Sequence, residues 1–175
     1  MSDELVACIV EGGAERAVID LLLDNHLLIF EREQLLDDAL LLDKTARRAD
    51  VFEKRYLGRH YSKPIVVYRI LDNPKSDRFK LSPFGVNTVK VVNVDTSPEI
   101  EMLVIHAEHA YESWMKARVK PSVYCKDHLH MRHVKEYEFI QEYFSDIDKL
   151  LYALEEYKRC SKPRKDELTI WDLVK

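Results

Sequence analysis

Glycine and proline are scarce in this sequence, four and six in 175 residues, and neither gathers into a linker. Nothing in the middle of the chain therefore reads as a hinge between two folding units. Cysteine is also sparse: Cys8, Cys125 and Cys160 are odd in number and widely spaced, which does not describe a disulfide framework. The first residues lack a basic segment followed by an apolar stretch and a small-residue cleavage site. The expectation is a reduced, cytoplasmic protein. No apolar run approaches the roughly 20 residues that a membrane-crossing helix needs, and the longest aliphatic runs are broken by Asp or Glu. Also missing is an excess of basic charge. With a net charge of -4 the chain has no general attraction for nucleic acid, so binding a polyanion would require a local patch or a metal ion.

The composition that remains, 46% hydrophobic and 33% charged, suits one globular domain with a sizeable core. Leu5 to Val10 is a short apolar run ending at Glu11-Gly12-Gly13, as a buried parallel strand enters a turn. From Ala14 onward Val18, Leu21 and Leu22 recur at helical spacing, which predicts the strand, turn and helix of an α/β unit. Leu27 to Phe30 reads as a short strand, and Glu33 to Tyr61 as one or two helices. Ile65 to Leu71 is a β-branched run that stops at Asp72-Asn73-Pro74, and Val89 to Val94 is a third strand ending at Asp95. Ser97 and Pro98 fit the cap and first position of a long helix whose apolar face runs through Leu103, Val104 and Trp114 to Lys120-Pro121. The remainder to Arg159 is helical with short breaks. The fold class expected is α/β, a compact and mostly parallel sheet flanked by helices, with a helical carboxyl-terminal third.

In open parallel sheets, ligands collect in the crevice beyond the carboxyl ends of the strands. Glu11, Asp72 and Asp95 each follow a predicted strand, and Glu15 lies one helical turn beyond Glu11. Carboxylates brought together there repel one another unless a hard cation such as Mg²⁺ or Mn²⁺ takes their oxygens as ligands. Such an ion suits phosphoryl chemistry. The competing reading is that each acid only caps a turn or a helix.

These residues resemble a known family. Ile9-Val10-Glu11-Gly12-Gly13-Ala14-Glu15 is similar to the first motif of the topoisomerase–primase (Toprim) domain. Asp72 matches the first aspartate of that family's second, acidic motif. The stretch from Asn93 to His106 resembles a Ser/Thr-x-Pro-x-x-Glu segment of Toprim-like proteins in bacterial phage defence. The resemblance covers roughly the first two thirds of the chain: residues 1–120 would be the Toprim-like core of a single domain 1–175, and 121–175 a helical extension. It implies a Mg²⁺-dependent nuclease, a hydrolase cleaving DNA or RNA, with Glu11 and Glu15 catalytic and Glu11, Asp72, Asp95 and Asp77 as metal ligands. One departure stands out. The family's second motif carries Asp-x-Asp, whereas Pro74 stands two residues after Asp72 here. Either Asp77 or Asp95 supplies the missing ligand, or the chain is a non-catalytic relative that docks a partner protein or forms a homodimer.

For nucleic acid the sequence offers Lys44, Arg48, Arg55 and Arg59, one basic stripe if that stretch is continuous helix, and a second cluster from Lys158 to Lys165. Cys125, His128, His130 and His133 invite a zinc reading, but their spacing is no standard finger and surface histidines are preferred. His106 sits on the long helix near the sheet end, and the aromatic residues Tyr111, Trp114, Tyr137 and Phe144 read as core.

Overall fold

A computed structural model of the protein describes residues 4–42, 47–72, 78–161 and 166–175. Strands β1 (Leu5–Ile9), β2 (Ile65–Leu71), β3 (Val89–Asp95) and β4 (Glu167–Leu168) form one sheet in the order β1-β2-β3-β4. All neighbours are parallel. Leu5 stands opposite Ile65 and Ile65 opposite Val89, so that β2 and β3 end level, at Leu71 and Asp95. Alternate residues of β1 enter different cores: Val6 and Cys8 one, Ala7 and Ile9 the other. A sheet covered on both faces needs apolar residues at successive positions, which is why β1 is a continuous hydrophobic run and β2 is one apart from the buried Arg69.

Eight helices occur among the described residues. The larger core lies under α1 (Gly13–Asp24), α4 (Met102–Ala107), α6 (Pro121–Asp127), α7 (Tyr137–Tyr143) and α8 (Ile147–Cys160). The smaller core is closed by α2 (Ala49–Phe52) and the π-helical turn Glu53–Leu57 that continues it, through Phe52, Tyr56 and Leu57. The short helices α3 (Pro83–Thr88) and α5 (Tyr111–Ala117) complete the set. None of these helices is long and apolar enough to cross a membrane.

The structure corrects four expectations. Leu27 to Phe30 is no strand: only Leu28 makes an isolated bridge, to Val174. The described residues of Glu33 to Tyr61 are not one or two helices, because Leu35 and Leu41 bridge to Val6 and Ile9 along the outer edge of β1, while Asp37 and Asp38 take φ of 55° and 53°. Leucines that mimicked a helical face in fact shield a sheet edge. The helix expected from Pro98 to Lys120 begins at Met102 and is split into α4 and α5 around His109, whose φ of 53° belongs to the left-handed region. Finally, the carboxyl-terminal segment is not purely helical. β4 joins the sheet, Ile170 and Leu173 are buried, and the Lys175 backbone N–H donates to Leu27 O at 2.8 Å.

Candidate functional site

Glu11 lies two residues beyond β1 and Asp72 directly beyond β2. The Asp72 backbone N–H donates to Glu11 Oε2 at 3.1 Å, so one turn holds the carboxylate of the other. Glu15, in the first turn of α1, packs under Gly12: a Cβ there would lie 2.9 Å from Glu15 Oε2, so glycine allows this close approach. Glu101 enters from the turn before α4. Together Glu11, Glu15, Asp72, Glu101 and Lys135 line one cleft of about 170 Å³ at the carboxyl end of the sheet.

Burial dominates the electrostatics of this cleft. Glu15 and Glu101 are nearly inaccessible, at 4% and 2% exposure. Burial, reinforced by the charge of Asp72, pushes the Glu15 carboxyl up to about 7. Burial pushes Glu101 up to about 7 as well, despite the opposing pull of Lys135. Burial also raises Asp72, against the Thr96 hydroxyl that donates to its Oδ1 at 2.9 Å. The Lys135 ammonium stands 3.6 Å from Glu99 Oε1 and 3.7 Å from Glu101 Oε1. Although partial burial disfavours the Lys135 charge, Glu101 and Glu99 hold its pKa above the ordinary lysine value. Glu101 Oε2 is buried without a hydrogen-bond partner among the described residues. Arg47 approaches from the other side: Nη1 lies 3.9 Å from Glu11 Oε1, and Nη2 donates to the Glu11 carbonyl.

Asp95 is placed differently from its three companions. It ends β3 and is buried, but its Oδ1 accepts from both the backbone N–H and the hydroxyl of Ser97, and it is not among the residues lining the cleft. It holds a turn, and the Ser97 hydroxyl, instead of capping a helix, lies between Asp95 Oδ1 and Asp72 O, 2.8 Å from the latter, with one proton to share between them. Tyr157 of α8 secures the same turn by donating to Ser97 O at 2.8 Å. Asp77 and Lys44 lie outside the described residues, as do Pro74, Lys162, Arg164 and Lys165. The three described cations of the basic stripe are each paired with a carboxylate. Arg48 precedes α2 and pairs with Asp50, while Arg55 and Arg59 both turn to Asp37, at 3.5 and 3.8 Å. Among the described residues, no three His, Cys, Asp or Glu side chains are grouped so as to hold a metal ion. That includes Cys125, which is buried beside the Glu101 carbonyl, and His128, which stacks on Tyr124.

No family model, no curated protein and no solved structure matches this chain. The site therefore rests on its own geometry. Sequence reasoning passed over Glu101, Lys135 and Arg47. Glu101 had a signal, being the glutamate of the Ser/Thr-x-Pro-x-x-Glu segment; Lys135 and Arg47 had none, since each reaches the cleft from a distant part of the chain.

Proposed function

We propose that this chain is a Toprim-like, Mg²⁺- or Mn²⁺-dependent nuclease whose active site is the acidic cleft, with a role in bacterial phage defence as the context its sequence resembles. The observation that carries the reading is the gathering of Glu11, Glu15, Asp72 and Glu101 from three chain segments around one cleft, two of them with pKa values near 7. Buried carboxylates of that kind are relieved by a hard cation, and the partnerless Glu101 Oε2 adds a free donor oxygen. Glu11 and Asp72 would hold the ion, with Glu15 or Glu101 beside them. When bound, such an ion polarises a phosphodiester, activates a water and steadies the leaving oxygen.

The protein's own groups prepare this chemistry. The Asp72 N–H and Arg47 fix Glu11 from two sides. A glutamic acid with a pKa of about 7, as in Glu15, exchanges a proton readily at neutral pH and suits a general acid or base. Lys135 supplies positive charge at the rim, where a phosphate would enter. The test is cleavage of labelled DNA and RNA, single- and double-stranded, with Mg²⁺ or Mn²⁺. Glu11→Gln and Asp72→Asn should each lower the rate by roughly 10² or more. Cleavage by both at the wild-type rate would end the proposal.

A second reading has its own observation. Lys135 already offsets Glu99 and Glu101, and no three-ligand metal group occurs among the described residues, as a non-catalytic Toprim-like module docking a partner would need no ion. Melting temperature separates the two. A metal-induced rise in wild type that is absent from Glu11→Gln supports the nuclease, and no rise in either supports the docking module.

A further inference from the structure

Next to the acidic cleft runs an open groove of about 350 Å³ lined by Pro98, Glu99, Trp114, Arg118, Val119 and Lys120. Glu99 connects the two sites, since its carboxylate also reaches Lys135 of the cleft at 3.6 Å. The Trp114 ring is fixed in the groove wall by its Nε1–H, which donates to Val119 O at 2.9 Å, and by the Tyr111 ring, with centroids 5.7 Å apart. Behind Trp114 and Pro98 a smaller cavity of about 80 Å³ is lined by His106, Tyr111 and Tyr157. His106 is 3% exposed and stacks on Tyr111 at 4.9 Å, yet its Nε2 is buried without a hydrogen-bond partner among the described residues. Burial drives the imidazole down to about 4, so at neutral pH it is an uncharged polar atom at the back of an aromatic pocket.

The groove also places two cations beside the Trp114 ring. Arg48, Arg55, Arg59, Lys158 and Arg159 are each matched to a carboxylate. Arg118 and Lys120 have no ion-pair partner among the described residues. In a chain of net charge -4, two unpaired cations flanking an aromatic face and leading to a cluster of acids are arranged for an anion with a flat, stackable part. A base paired within a duplex keeps its faces covered, whereas a single strand offers them.

We propose that this groove holds a nucleotide flanking the cleaved position of a single-stranded nucleic acid, its base against Trp114 and its phosphates on Arg118 and Lys120. The assignment rests on the nuclease reading of the cleft for its direction, but its binding is testable alone. A labelled oligothymidylate is titrated into the full chain in EDTA, where no metal-dependent cleavage proceeds, and followed by anisotropy and by tryptophan emission. Wild type binds with a quench that disappears in Trp114→Phe. The double variant Arg118→Gln/Lys120→Gln, exchanging cations that form no ion pair among the described residues, weakens binding and lowers the salt slope by about 1.4, for two phosphate contacts on a single strand. Trp114→Leu weakens it roughly fivefold to a hundredfold. If the double variant binds and quenches as wild type does, or if duplex binds more tightly than single strand, the proposal is overturned. Should Glu11→Gln cleave like wild type while the double variant loses binding, the nuclease reading fails and the groove stands as a strand-binding site. Should Glu11→Gln lose cleavage while the double variant binds normally, the groove fails and the nuclease stands.

Discussion

Replacing Glu101 by glutamine tests whether its burial strains the fold. In the folded chain the Glu101 carboxyl keeps its proton up to about 7, against an ordinary value of 4.5. Between those two values the folded state binds more protons than the unfolded state, so this group's contribution is complete below 4.5 and declines as pH rises through about 7. A displacement of that size corresponds to at most about 3 kcal/mol at pH 8. Lys135 remains 3.7 Å away and 61% exposed, so its pairing with the ionised form returns only a small part. Glutamine keeps the shape and carries no charge. Glu101→Gln should therefore melt above wild type at pH 8 without metal, by up to about 6–12 °C at roughly 2–4 °C per kcal/mol for a chain of this length. At pH 5, where the carboxyl is protonated in the folded chain but already mostly ionised in the unfolded one, the difference should fall to about 2–3 °C. Millimolar Mg²⁺ should close the gap at pH 8 by stabilising wild type, and do little at pH 5, where protons compete for the same oxygens. Thermal melts in matched buffers at the two pH values, with and without Mg²⁺, provide the measurement. A Glu101→Gln variant equally destabilised at both pH values, or a wild type equally stable at both, would refute the assignment of a strained carboxylate.

Two other substitutions probe neighbouring parts of the structure. Thr96 is 2% exposed and donates to Asp72 Oδ1 at 2.9 Å, so Thr96→Val should cost about 1.5–3 kcal/mol in urea unfolding at pH 8, as loss of a buried hydrogen bond to a charged group does. The cost should shrink in acid as Asp72 becomes protonated. Arg55 and Arg59 form exposed pairs with Asp37, so Arg55→Gln/Arg59→Gln should change unfolding free energy by less than about 1 kcal/mol. The same double variant should leave oligonucleotide affinity within about twofold of wild type, and a tenfold loss would restore the basic stripe as a nucleic-acid surface.

The strands and the acids that follow them were legible because both are local. A run such as Ile65 to Leu71 has to be buried on both faces, and the residue after it has to leave the sheet, so Asp72 and Glu11 were marked by position alone. Helical spacing is a weaker guide, since Leu35 and Leu41 follow it and yet cover the edge of β1, and His109 interrupts a helix that its neighbours would continue. What the sequence by itself determined is a parallel α/β sheet with Glu11, Glu15 and Asp72 at its carboxyl end. Only the tertiary structure decided the composition of the site. It turned Asp95 onto Ser97, brought in Glu101, Lys135 and Arg47, paired Arg48, Arg55 and Arg59 with carboxylates, and set Arg118 and Lys120 beside Trp114 in one groove. The physical reason is that strand ends are fixed by local burial, whereas pairing and proton affinity depend on charges that meet through packing between residues far apart in the chain.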